Sequence, residues 1–122
     1  MAKPKVLVID DEYPCVLLIE TNLKLSGYEV SSAINGSQGL EKAKSEQPNL
    51  IILDVNLPDI KGWEVYETLK QQTETKHIPV IFVTGYAQDT AIIKGLDMGA
   101  VKYVTKPFDP VELVKTVKEL LN

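Results

Sequence analysis

The 122-residue sequence contains a single cysteine, so no internal disulfide can form and a reducing compartment suits it. No apolar run approaches the ~20 residues of a membrane span. The first residues, Met-Ala-Lys-Pro-Lys, lead straight into a short apolar segment and carry no signal-peptide core. There is no block of lysine or arginine, and the formal net charge is −4, which argues against nucleic-acid binding through this chain's own electrostatics. Linker-like segments, low-complexity segments and solenoid-type repeats are missing too. These absences lead to the expectation of a cytoplasmic globular protein with one domain over residues 1–122. The length supports one core, and 44% hydrophobic with 25% charged residues is an ordinary balance for such a domain.

What is present is a series of short apolar runs, each ending on polar side chains. Residues 50–53 form an unbroken apolar run that stops at Asp54, with Pro58 soon after. A strand with no polar alternation is one buried on both faces, as in a parallel sheet covered by helices on either side. Residues 6–9 repeat the pattern and stop at Asp10-Asp11-Glu12. Residues 78–83 repeat it again and stop at Thr84-Gly85, and a fifth strand over 101–105 leads into Lys106-Pro107-Phe108. The strand expected over 28–33 is less apolar, which suits a sheet edge.

Helices are expected between these strands. Pro14 suits a first turn, Cys15, Leu18, Ile19 and Leu23 fall on one face, and Gly27 closes that helix. Asn35-Gly36 is a turn signal before a second helix that carries Leu40 and Ala43 and runs to Glu46. Gly62 relieves the loop before a third helix over 63–72. A fourth, weaker helix spans 90–98, with Gly95 inside it and Gly99-Ala100 closing it. Asp109 is an N-cap candidate with Pro110 at the first position of a fifth helix, whose apolar stripe is Val111, Val114, Val117, Leu120 and Leu121. Strict alternation of five strands and five helices predicts a flavodoxin-like three-layer α/β sandwich around a parallel sheet of order 2-1-3-4-5.

In that order the ends of strands one, three, four and five meet at one rim, where open α/β sheets place their ligands. The side chains delivered there are Asp10, Asp11, Asp54, Thr84 and Lys106. Carboxylates this close repel one another unless a cation or proton intervenes. All-oxygen donors with no nearby His or Cys suit a hard divalent cation such as Mg²⁺. A metal, an ammonium and a hydroxyl around a carboxylate are also the equipment of phosphoryl transfer, with Asp54 as the best-placed nucleophile.

These residues resemble the response-regulator receiver domain of two-component signalling, and the resemblance covers the whole chain. It rests on Asp10-Asp11, on Asp54 with Pro58 and Gly62, on Thr84, on Gly99-Ala100 and on Lys106-Pro107-Phe108. The resemblance implies that Asp54 is the phosphoacceptor. It implies that Asp11 and Asp54 bind Mg²⁺ directly with the backbone carbonyl of Asn56, that Asp10 acts through metal-bound water, and that Mn²⁺ can substitute. Lys106 would hold a phosphoryl oxygen and carry a cis bond to Pro107. Thr84 would hydrogen-bond the phosphoryl group, and Tyr103 would be an aromatic switch. The donor would be a sensor histidine kinase or phosphotransfer protein. The output would be a downstream protein or fused domain engaged through the fourth helix, fifth strand and fifth helix. Such a chain modifies itself and is not a conventional enzyme; neither nucleic acid nor membrane is expected as a partner.

Two other classes compete. A phosphatase of the haloacid-dehalogenase kind passes through an aspartyl-phosphate but carries a second Asp two residues after its nucleophile; Asn56 stands there. A flavodoxin-like cofactor binder needs a Ser/Thr/Gly phosphate loop after strand one, where Asp10-Asp11-Glu12 would repel a phosphate.

Overall fold

The structure, a computed structural model, describes residues 3–86, 89, 93 and 102–121. Its strands are β1 (Lys5–Ile9), β2 (Glu29–Ala33), β3 (Leu50–Asp54), β4 (Val80–Thr84) and β5 (Lys102–Thr105). They form one parallel sheet of order β2-β1-β3-β4-β5. Among the described residues the helices are α1 (Tyr13–Leu25), α2 (Gly36–Glu46), α3 (Gly62–Gln71) and α4 (Pro110–Leu121). The last of these is the fifth helix of the sequence expectation. The expected fourth helix, over 90–98, lies outside the described residues apart from Ile93, as do Gly95, Gly99, Ala100 and Val101.

The unbroken apolar runs have the cause inferred for them. Every residue of β3 and of β4 is buried, because both faces of these central strands are covered. Alternate side chains supply two separate cores. Leu7, Ile9, Ile51 and Leu53 join the core shared with α2 and α3. Val6, Val8, Leu50 and Ile52 join the core shared with α1 and α4. β2 is an edge strand and shows only partial burial along its middle, which is why its sequence is less apolar.

Several boundaries and faces differ from the sequence expectation. α1 buries Val16, Ile19 and Leu23, whereas Leu18 is 42% exposed and Cys15 only partly buried. Residues 15–19 are all apolar, so periodicity alone cannot say which three touch the sheet. In α4 the buried pair is Leu113 and Val117, and Val111, in the first turn, is 72% exposed. β4 begins at Val80; Ile78 is buried but precedes the strand. Gly62 is the first residue of α3 instead of a loop residue.

Loop chemistry fixes how the helices join. Asn35 caps α2, its side chain accepting the Gln38 N–H at 2.7 Å. Asp59, 23 residues away, accepts the Gly36 and Ser37 N–H groups at 2.8 and 2.9 Å and so pins the β3–α3 loop to the same helix end. Those N–H groups, Ser37 first, hold the exposed Asp59 carboxyl below the usual carboxylate range. Gly27 closes α1 at φ +95°, a backbone region that L side chains rarely adopt. Asp109 accepts the Val111 N–H at 2.9 Å and caps α4.

Strand register brings the polar ends level. Ile9 pairs with Leu53, Asp54 with Val83, and Thr84 with Thr105. Asp54 and Thr84 are therefore the last residues of β3 and β4, and Asp10 and Lys106 the first residues past β1 and β5, all at one end of the sheet.

Candidate functional site

Asp10 directly follows β1, is 2% exposed, and accepts the Glu12 N–H on Oδ1 at 2.9 Å. Its other oxygen, Oδ2, is buried and accepts no hydrogen bond. Asp54 ends β3 and is 4% exposed, its Oδ1 accepting a long bond from the Asn56 N–H at 3.3 Å. Lys106 follows β5, where its own N–H continues the ladder to the Thr84 carbonyl at 2.7 Å. Its ammonium lies 2.5 Å from Glu12 Oε1, 3.3 Å from Asp10 Oδ2 and 3.5 Å from Asp54 Oδ2. The Lys106–Pro107 bond is cis.

Asp10, Glu12 and Asp54 each offer a carboxylate oxygen within 4.8 Å of the others. Three anions so close are held together by one ammonium. Burial pushes the Asp54 carboxyl up to about 6, with the neighbouring Asp10 charge adding to the rise and Lys106 opposing it. Burial alone would lower the Lys106 ammonium; its hydrogen bond to Glu12 and the charges of Asp54 and Asp10 raise it instead, so it stays protonated. Beside this site, burial and a hydrogen bond to Asp10 push the Cys15 thiol up to about 12. A thiol in that state is unreactive, in keeping with a packing role.

The cleft over these groups has a volume of about 440 Å³ and is lined by Asp11, Glu12, Asp54, Asn56, Gly85, Tyr86 and Lys106. A larger groove of about 770 Å³ lies between the end of α1 and α4, but no acidic cluster or buried polar end converges on it. The chemistry belongs to the smaller cleft.

The structure brings together Asp10, Asp54 and Lys106, and seats Thr84, fully buried, at the end of the adjoining strand. Asp11 lines the cleft but is exposed and stands outside the three-carboxylate group. Glu12 takes that place, a residue the sequence reading did not single out. Its only local signal is that it is the third acid of a run. Asn56 lies on the rim with its amide between Lys61 and Asp89. Tyr103 is half-buried on β5, beside Phe82 in register, and packs on the core of α2 and α3.

Gly62 packs against the backbone of Asp54 and Val55. A Cβ there would lie 2.5 Å from the Asp54 carbonyl oxygen and 2.8 Å from Val55 Cα. The absence of a side chain lets α3 start directly beneath the backbone that presents Asp54, and the Gly62 N–H bonds the Val55 carbonyl at 2.7 Å.

Residues 6–118 match the family model of the response regulator receiver domain. The chain belongs to that family. Membership makes it a phosphorylation-dependent signalling switch. Among curated relatives, the chain is 43% identical over 118 residues to the alkaline phosphatase synthesis transcriptional regulatory protein PhoP of Bacillus subtilis, covering 97% of this chain and 48% of that protein. The receiver domain thus spans about half the length of the curated relatives it matches. Among solved structures it is similar to the chemotaxis response regulator CheY4 of Vibrio cholerae, at TM-score 0.88 and 31% identity over 98% of this chain and 100% of that one. It is similar too to the response regulator protein TrrA of Thermotoga maritima, solved in complex with Mg²⁺-BeF, at TM-score 0.85 and 34% identity over 97% and 99% of the two chains.

A divalent cation fits the donor set. The three donors that converge are carboxylates, and Asp10 Oδ2 accepts no hydrogen bond, only the ion pair with Lys106; the sequence expectation of no nearby Cys does not hold, since the protonated Cys15 thiol stands beside Asp10. No helix among the described residues is long and apolar enough to cross a membrane.

Proposed function

We propose that this receiver domain accepts a phosphoryl group on Asp54 from a sensor histidine kinase or phosphotransfer protein and changes its surface toward a partner. The observation that carries the reading is the Asp54 carboxylate, buried at the end of the central strand with the Lys106 ammonium 3.5 Å away. In the reaction an Asp54 oxygen attacks phosphorus, one bond from phosphorus to the donor breaks, and its electron pair leaves with the donor. Lys106 neutralises a phosphoryl oxygen, and Thr84 donates its hydroxyl proton to another. Mg²⁺, with Mn²⁺ as a substitute, would supply charge neutralisation for the incoming oxygens. Asp11, Asp54 and the Asn56 carbonyl would hold it, and Asp10 would act through water; Lys106 must first release the carboxylates it now pairs.

Phosphorylation adds about −2 of charge at this rim. Lys106 and Thr84 meet that charge in one state only, so the population shifts. Tyr103, half-buried on β5, would move inward as Thr84 moves, altering the face of the expected fourth helix, β5 and α4. The product is a changed surface, with turnover confined to the domain's own acyl phosphate. An output domain or downstream protein would read that surface, in the cytoplasm and without nucleic-acid contact by this domain itself.

The test is intact-mass measurement after incubation with acetyl phosphate and Mg²⁺. One added phosphoryl group is expected on wild type and none on Asp54→Ala. No added mass on wild type, or equal mass on the variant, would end the proposal.

A further inference from the structure

The phosphotransfer reading makes no use of one buried acid. Asp89 is 7% exposed, and its Oδ2 receives Thr84 Oγ1 at 3.4 Å and Asn56 Nδ2 at 3.3 Å. One donor is the last residue of β4 and the other lies in the loop after β3. Among the described residues no ammonium pairs with this carboxylate. Asp89 is therefore a buried acid whose described side-chain partners are two neutral groups of the functional cleft.

Thr84 has one hydroxyl proton to donate. The acceptors within reach of it are the Asp89 carboxylate and the Tyr86 carbonyl, at 3.4 and 3.3 Å. An ionised carboxylate is the stronger acceptor of the two. A proton given to Asp89 cannot be given to a phosphoryl oxygen on Asp54, so the two contacts are mutually exclusive. Losing the Thr84 contact also leaves a buried carboxylate less well satisfied, which favours the arrangement seen here.

We infer that Asp89 is a positioning residue that holds Thr84 in the resting arrangement and competes with the phosphoryl group for its proton. The inference rests on the reading of Asp54 as phosphoacceptor. Through Asn56 the same carboxylate also ties the β3–α3 loop to the segment after β4.

The test is titration of the protein with beryllofluoride in the presence of Mg²⁺, followed by the emission of the single tryptophan, Trp63, and by calorimetry. Asp89→Ala is expected to lower the half-saturating concentration about three- to tenfold relative to wild type. Asp89→Asn keeps the shape and an oxygen acceptor but loses the charge, so a smaller gain in the same direction is expected; it also serves if the alanine variant does not fold. The gain must vanish when Asp89→Ala is placed on a Thr84→Ala background. A merely structural role would weaken binding or leave it unchanged, whatever stands at Thr84. Equal or weaker binding by both Asp89 variants, or an undiminished gain without the Thr84 hydroxyl, would overturn the inference. Failure of wild type to bind beryllofluoride would instead overturn the phosphoacceptor reading, and this inference with it.

Discussion

Replacing Asp54 by Asn should stabilise the metal-free fold, and by an amount that depends on pH. The Asp54 carboxyl is raised from 3.8 to about 6, first by burial and then by the Asp10 charge, with Lys106 opposing. A carboxyl raised in the folded state binds its proton more tightly there than in the unfolded chain. Its contribution is fully present below about pH 4 and is lost as pH rises through about 6. A shift of about two units at 1.36 kcal/mol each amounts to about 3 kcal/mol by pH 7.5. Asn is a neutral stand-in of the same shape and escapes that loss. The variant should therefore match wild type near pH 4 and exceed it by about 2–3 kcal/mol at pH 7.5, roughly 10 °C in Tm for a domain of this size. The assay is urea denaturation in EDTA at several pH values, urea being chosen because it does not screen charge. Mg²⁺ should narrow the gap, since a cation bound only by the folded wild type stabilises it by mass action. A variant less stable than wild type at pH 7.5, or an advantage constant between pH 4 and 8, would refute the reasoning.

Two further substitutions probe the same cleft. Gly62→Ala places a Cβ 2.5 Å from the Asp54 carbonyl oxygen, so backbone must move; a loss of about 1–3 kcal/mol in denaturation is expected, together with weaker Mg²⁺ binding by calorimetry. Lys106→Met leaves the three converging carboxylates without their ammonium. Stability at pH 7.5 should fall by about 1–3 kcal/mol, and the Tm gain on adding Mg²⁺ should exceed that of wild type; an unchanged Tm without metal would contradict the assigned ion pairs.

The parts of this molecule legible in its sequence are those with a local or periodic cause. β1, β3 and β4 read as buried strands because both of their faces are covered, and Asp10, Asp54 and Thr84 stand out because each closes such a run. β2 reads as an edge for the opposite reason. The contacts that went unread are long-range pairings. The Glu12–Lys106 ion pair joins residues 94 apart, the Asn56–Asp89 bond joins residues 33 apart, and Asp59 reaches 23 residues back to α2. Nothing at either end of such a pair marks its partner. The misplaced face of α1 has another origin: with five consecutive apolar residues from Cys15 to Ile19, only docking on the sheet selects Val16 and Ile19 over Leu18.

The most direct test of the account is a crystal structure grown with Mg²⁺ and beryllofluoride. It should show the beryllium on an Asp54 oxygen, the Lys106 ammonium moved from Glu12 to a fluorine, the Thr84 hydroxyl turned from Asp89 to another, and Mg²⁺ held by Asp11, Asp54 and the Asn56 carbonyl. Beryllium bound to another side chain, or Lys106 still seated among Glu12, Asp10 and Asp54 with the cation elsewhere, would contradict it.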